Sequence, residues 1–265
     1  RFLEKKYGAE LFLRDGKRLE LTRAGEILKR TMITMENDQR AMEKRMRESG
    51  NAVRTLTMGV TMTIGEYAVT GPLARYLNLH PDVNVCLRFG NTDRLLEALR
   101  AGEMDLALSE GYIRSEEFDT ELFRRERYIP VCAAGHALPA GKQKLKDLLG
   151  ERLILREKGS GSRKILERNL AARNLKISDF IHYAEVENIH TIVSLLVRDC
   201  GIAFLYEAAV EQEIRQGLLK EIRLDDFSMN HEFLFLWNKG SVFSGELKKL
   251  CEEWIQLDKD ASRGR

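Results

Sequence analysis

Residues Glu26 to Ser49 hold neither proline nor glycine, and this predicts one long helix from Thr22 to about Ser49. Thr22 is placed to cap the first free amides, Glu26 suits the positive end of the helix dipole, and Gly50 supplies a stop. Such a helix is about 40 Å long, more than one small core can use. Leu28, Met32, Met35, Met42 and Met46 follow a 4-3-7-4 spacing, a heptad seam in which Gln39 is the polar insertion. A stripe this narrow, flanked by charge, predicts pairing with another helix and so a dimerisation element. An ordinary amphipathic surface helix is the plainer alternative.

The rest of the chain must supply the cores. Its 265 residues suffice for one large or two medium domains, and 43% hydrophobic with 32% charged residues is a globular composition. No apolar run approaches the roughly 20 residues of a membrane helix, and no signal peptide opens the chain. Because residue 1 is Arg, we expect a fragment whose true start lies upstream. Cys86, Cys132, Cys200 and Cys251 stand apart in apolar surroundings without metal-ligand spacing. Reduced thiols in a cytoplasmic protein are the expectation, with a redox pair as the alternative. Charge is uneven: residues 1–50 carry thirteen Lys/Arg against nine Asp/Glu, whereas the remainder is slightly acidic. That asymmetry points to nucleic acid at one end only.

The first twenty residues fit this. Phe2, Leu3 and Tyr7 fall at helical spacing before Gly8, with Arg1 and Lys5 among the basic residues around them. Two short apolar runs, 11–14 and 18–21, flank Asp15-Gly16-Lys17, a strong hairpin signal. Arg14, Lys17 and Arg18 at its tip are placed to meet phosphates; a solvated surface turn is the alternative.

The series Leu3-Glu4-x-x-Tyr7-Gly8-x-x-Leu11-Phe12-x-Arg14-x-Gly16, followed by Leu21-Thr22-x-Ala24-Gly25, resembles the DNA-binding signature of the LysR-type transcriptional regulators. The resemblance implies that 1–21 is the C-terminal remnant of a winged helix-turn-helix. Residues 1–8 would end its recognition helix, 11–21 would form the wing, and 22–50 would be the linker and dimerisation helix. The helix-turn-helix proper, which reads base edges, is absent from this sequence.

After Gly50 the pattern becomes strand, loop, helix, the mark of an α/β fold. Strands are expected at 56–60, 83–89, 105–109, 128–132, 153–155, 183–186, 202–205 and 232–237, with a final helix from Gly245 to Ile255. Returning the last strand and helix to the first lobe gives two similar lobes joined by two crossing strands, with a cleft between them. Thr61/Thr63 and Gly159-Ser160-Gly161-Ser162 follow strands and open helices, where free amides and hydroxyls bind anions. Plain helix caps and turns are the competing reading. The glycine loop lacks the Gly-Lys-Ser/Thr ending of a nucleotide P-loop, no GxSxG is present, and the five histidines show no paired-ligand spacing. We therefore expect no enzyme, cofactor or metal.

The resemblance continues through Thr61–Tyr67, Phe89–Thr92, Ile154–Arg163 and Gly201–Leu205, which are similar to the LysR-type effector-binding domain. It implies a two-lobed, periplasmic-binding-protein-like domain over 53–265, with lobe I at about 53–130 and 231–258 and lobe II at about 131–230. A small, anionic effector between the lobes would meet Thr61, Thr63, Ser109, Glu110, Ser160, Gly161, Ser162 and Asn188. Glu187 and Tyr206 depart from the commoner residues at their positions and would reshape the pocket. DNA, a small effector and further copies of the chain, as homodimer or homotetramer, are the implied partners; a membrane is not. Two other readings exist. A plain solute-binding protein needs neither the heptad helix nor the basic hairpin, and a phosphate-handling enzyme needs a lysine, base or metal that the loop does not offer.

Overall fold

The computed structural model describes residues 1–16, 18–48, 54–110, 113, 116–138 and 143–263, with backbone alone at Asp15 and 261–263. Lys17 of the hairpin tip, and Ser49 and Gly50 at the expected helix end, lie outside the described residues. Helix α1 (Phe2–Tyr7) closes on Gly8, whose φ of +63° suits a residue without a side chain. The Glu4 carboxylate accepts the Leu11 amide at 3.1 Å and leads the chain into the hairpin β1 (Phe12–Asp15) and β2 (Arg18–Leu21).

Helix α2 (Arg23–Glu48) begins where the sequence suggests. The Thr22 hydroxyl accepts the Gly25 amide at 2.9 Å and donates to the Glu10 carbonyl at 2.6 Å, so one side chain caps the helix and pins the hairpin. Gly25 lies against the Leu11 carbonyl and the Leu21 side chain, and a Cβ there would collide with both. The hairpin's seat on α2 therefore depends on that glycine.

Next come β3 (Arg54–Val60), α3 (Met62–Tyr67), α4 (Thr70–Leu79), β4 (Val83–Phe89), α5 (Thr92–Arg100), β5 (Leu106–Glu110) and the sixteen-residue strand β6 (Phe118–Ala133). Then follow β7 (Arg152–Leu155), α6 (Gly161–Ala171), β8 (His182–Glu185), α7 (Ile189–Val197), β9 (Ala203–Tyr206), α8 (Glu211–Arg215), β10 (Leu219–Glu221), β11 (Asn230–Asn238) and α9 (Ser244–Arg263).

Lobe I is built on the order β4-β3-β5-β11-β6. Strand β3 runs parallel to β4 and β5, and β11 returns antiparallel between β5 and β6. Lobe II places β9 and β10 antiparallel to the far half of β6, with β7 bridged to the β9 segment through Leu153 and Ile202 and parallel to β8. Strand β6 thus belongs to both lobes: it pairs with β11 up to Arg127 and with β9 from Tyr128 onward.

Its first half is the main addition to the expected strand at 128–132. Residues 118–127 are rich in charge and do not read as an apolar strand; here the charges pair across strands, as in Arg125–Glu232 at 2.9 Å. One core runs through both lobes along the shared strand, and a second packs in lobe II. Met58, Val60, Leu108, Phe235 and Trp254 fill lobe I, while Val131, Ile154, Ile192, Leu196 and Leu205 fill lobe II. A chain of rings joins the two, Phe233 to Tyr206 at 4.8 Å and Tyr206 to Tyr128 at 5.1 Å, both edge to face.

Helix α2 lies along lobe I through polar side chains. Buried Asn37 donates to the carbonyls of Leu99 (3.4 Å) and Arg100 (3.0 Å), and Arg40 donates to that of Ala101. Lys44 pairs with Asp105 at 2.9 Å and Arg45 with Glu246 at 2.8 Å. Met32, Met35, Met42 and Met46, on the opposite side, are 43–66% exposed.

Candidate functional site

Strand β5 is buried along its whole length and delivers Ser109 and Glu110 to the junction between the lobes. Thr61 follows the neighbouring strand β3 and is held by its amide on the Leu108 carbonyl at 3.2 Å. Its hydroxyl does not cap α3; it donates instead to the Glu110 carboxylate. The Glu110 carbonyl accepts the hydroxyls of Thr92 and Ser109, each at 3.0 Å.

Across the junction stands the N-terminus of α6. Ser160 precedes it without capping it, because its hydroxyl shares a hydrogen bond with that of Ser162 at 2.9 Å. Gly161 meets lobe I directly: a Cβ there would sit 2.5 Å from the Glu110 carbonyl oxygen and 2.7 Å from the Thr92 hydroxyl. Only a glycine lets the two lobes touch at this point. Lys164, one turn on, pairs with Asp93 of α5 and clasps the lobes beside it.

Of the expected effector residues, Thr61, Ser109, Glu110, Ser160, Gly161 and Ser162 converge here. Thr63 is buried in the first turn of α3. Asn188 is exposed and caps α7 by accepting the Thr191 amide at 2.9 Å. Tyr206 lies within the ring chain that joins the cores.

Residue-by-residue reading missed Thr92 and Arg156. Arg156 is 4% exposed and grips the Glu157 carboxylate with Nε (2.8 Å) and Nη2 (3.0 Å). Its carbonyl accepts Arg163 at 2.9 Å, and Arg163 in turn pairs with Glu167 and Glu185, which braces the strand-to-helix turn. An arginine directly after a buried strand, at the carboxyl edge where α/β sheets bind ligands, was the available signal. Burial pushes the Glu110 carboxyl above its ordinary range, opposed by the Thr61 hydrogen bond and the Arg156 charge.

An opening between the lobes lies on other residues. About 750 Å³ in volume, it is lined by Glu66, Tyr67, Glu126, Glu207, Glu211 and Arg215 among others, and by none of the expected effector residues. Burial pushes Glu126 upward against the pull of Arg124; burial and the Glu66 charge push the Tyr67 phenol up to about 12. The basic residues expected to meet DNA (Arg1, Lys5, Arg14 and Arg18) are exposed on α1 and the hairpin, outside both lobes. Among the described residues no three His, Cys, Asp or Glu side chains gather as a metal site, and no helix is long and apolar enough to cross a membrane.

Two α/β lobes sharing a strand, with a helix N-terminus at their junction, define the periplasmic-binding-protein-like class of ligand-sensing domain. Residues 49–255 match the LysR substrate binding domain, and the chain belongs to the LysR-type transcriptional regulators. It is 28% identical over 220 residues to the HTH-type transcriptional regulator YeiE of Escherichia coli (strain K12), covering 83% of this chain and 73% of that one. The fold matches the Synechocystis PCC6803 CcmR regulatory domain in complex with 2-PG (TM-score 0.69, 18% identity, 78% of this chain and 98% of that one). It also matches an H2O2-bound mutant of Corynebacterium glutamicum OxyR (TM-score 0.67, 21% identity, 98% and 82%). The family is one of regulators rather than enzymes.

Proposed function

We propose that this regulator senses a small anionic metabolite at the β5–α6 junction and thereby alters promoter binding. The observation that carries the proposal is the uncapped N-terminus of α6, whose first serine turns to its neighbour and leaves the amides to a ligand. Thr61, Thr63, Ser109, Glu110, Ser160, Gly161 and Ser162 surround the ligand, with Asn188 and Tyr206 at its margins. That 2-PG was bound in the CcmR regulatory domain supports an anionic effector.

Residues 53–265 form the effector-binding unit, 22–50 the linker and 1–21 the DNA-contacting part, in which Arg1, Lys5, Arg14, Lys17 and Arg18 meet phosphates. The exposed methionines of α2 pair protomers into a homodimer or homotetramer. A hollow of about 620 Å³ between Met32, Met35, Met42 and Val242 supports that seam. The protein works in the cytoplasm, without a cofactor and without catalysis. Effector binding shifts the population of lobe arrangements, which requires the ligand to prefer one of them.

The test supplies the chain with a complete helix-turn-helix and measures binding to promoter DNA by fluorescence anisotropy, with and without candidate anionic metabolites. An effector should change promoter affinity by about fivefold or more, and Ser162→Asp should abolish that response. A chain that prefers no promoter over random DNA at physiological salt ends the proposal.

A further inference from the structure

Helix α5 touches the lobe junction at one end and the linker helix at the other. At its start, residues 91–93 carry lobe II. Asn91 caps the helix by accepting the Arg94 amide at 3.0 Å, and a Cβ at Gly159 would lie 3.1 Å from the Asn91 Nδ2. Buried Thr92 donates to the Glu110 carbonyl and leaves no room for a Cβ at Gly161, while Asp93 pairs with Lys164. Two glycines and a lysine of lobe II are thus seated on the first turn of α5.

At its end, the carbonyls of Leu99, Arg100 and Ala101 meet α2. Asn37 donates to the first two and Arg40 to the third. The next residue is fitted to the same asparagine: a Cβ at Gly102, whose φ is +67°, would lie 2.5 Å from Asn37 Oδ1. Other contacts of α2 bypass α5, with Asp38 on the Val242 amide and Arg45 on Glu246.

The nine residues of α5 span about 13 Å, and a hydrogen-bonded helix of that length moves as a unit. Leu95, Leu96 and Leu99 pack with Met104, Phe118 and Leu236 in a small core set apart from the one that runs through both lobes. A slight shift of the helix therefore repacks a few side chains and spares the main core.

We propose that α5 couples the arrangement of the lobes to the linker helix: the seat of lobe II on residues 91–93 sets how firmly the carbonyls of 99–101 hold α2. The proposed function supplies what moves lobe II, and the inference rests on it for that step alone. Coupling of this kind is reciprocal, so a displacement of α2 also acts on the junction.

The experiment is hydrogen–deuterium exchange of the chain, read by mass spectrometry over residues 33–46 of α2, with 248–258 of α9 as the control on the same lobe. Gly161→Ala pushes α6 off Thr92 and should raise exchange over 33–46 by about threefold or more, leaving α9 within about 1.5-fold. Lys164→Met, a gentler change at an exposed pair, should act in the same direction by about 1.5-fold or more. Asn37→Leu combined with Arg40→Met frees the far end of α5. Adding Gly161→Ala to that pair should then change exchange over 33–46 by less than about 1.5-fold.

No effector enters these measurements, so their failure leaves the effector-site reading intact, and that reading is tested separately by Ser162→Asp. Unchanged exchange over 33–46 in both Gly161→Ala and Lys164→Met overturns the inference. So does a rise shared equally by α9, which is general loosening, or a rise that persists once α2 is released from 99–101.

Discussion

The two faces of α2 reverse the usual division of labour on a helix. The face turned toward its own body is polar: Asn37, Asp38, Arg40, Lys44 and Arg45 all engage lobe I. The face turned away carries Met32, Met35, Met42 and Met46 in the open. What draws the polar face down is a set of backbone groups that need partners. The last carbonyls of α5 lack the full complement of amides found inside a helix, and Asn37 and Arg40 serve them from outside. Asp38 likewise accepts the Val242 amide at 3.0 Å, and the Arg45 guanidinium lies 3.8 Å from the Phe243 ring centre. Helix and lobe I are therefore fastened by specific hydrogen bonds, while Met32, Met35 and Met42 stay exposed on the far face. Docking and pairing can then be altered independently.

The largest effect should come from the apolar face. Met35→Asp puts a charge into the proposed seam and should weaken self-association by about 3 kcal/mol, more than a hundredfold, seen as a fall in molar mass by light scattering. An unchanged mass would break the comparison, because the methionines would then be surface residues like any other.

Asn37→Leu tests the polar face and should leave the mass unaltered. It strips the side-chain donor from the Arg100 carbonyl and should lower unfolding free energy by about 1–3 kcal/mol in urea. Leu99 keeps the Gly102 amide (3.1 Å) and the Asn238 side chain (2.7 Å). Lys44→Met should cost less, about 1 kcal/mol or below, because the pair with Asp105 is partly exposed and Asp105 retains the Thr57 amide at 2.7 Å. That smaller loss should shrink further in 1 M salt, since screening then acts within about 3 Å.

What the sequence made legible was local. The Pro- and Gly-free run of α2, the Asp15-Gly16 turn, the Gly8 stop and the strand–helix alternation each lie within a few residues of the structure they specify. The docking face of α2 was illegible because its partners lie far along the chain: Leu99 is 62 residues from Asn37, and Glu246 is 201 residues from Arg45. The same limit governs the site. Helix capping was the competing reading of Thr61 and Ser160, yet Thr61 serves Glu110, 49 residues away, and Ser160 serves Ser162. Asn188, read as a pocket residue through family resemblance, makes the local cap that its residue type alone suggests. The first half of β6 escaped notice because charged side chains such as Arg125 and Arg127 find partners on other elements, which no window of β6 contains.

Strand β6 also constrains how the lobes can move. A strand owned by two sheets cannot slide, because slippage would break the register on one side or the other. Relative motion is thus confined to bending where partnership passes from β11 to β9, at Arg127 and Tyr128. Arg127 spans that point with one arm on Glu207 (2.7 Å) and the other on Glu221 (2.6 Å). A bend there must lengthen or re-aim those arms, so the protein carries a built-in strain gauge whose stiffness is set by ionic strength.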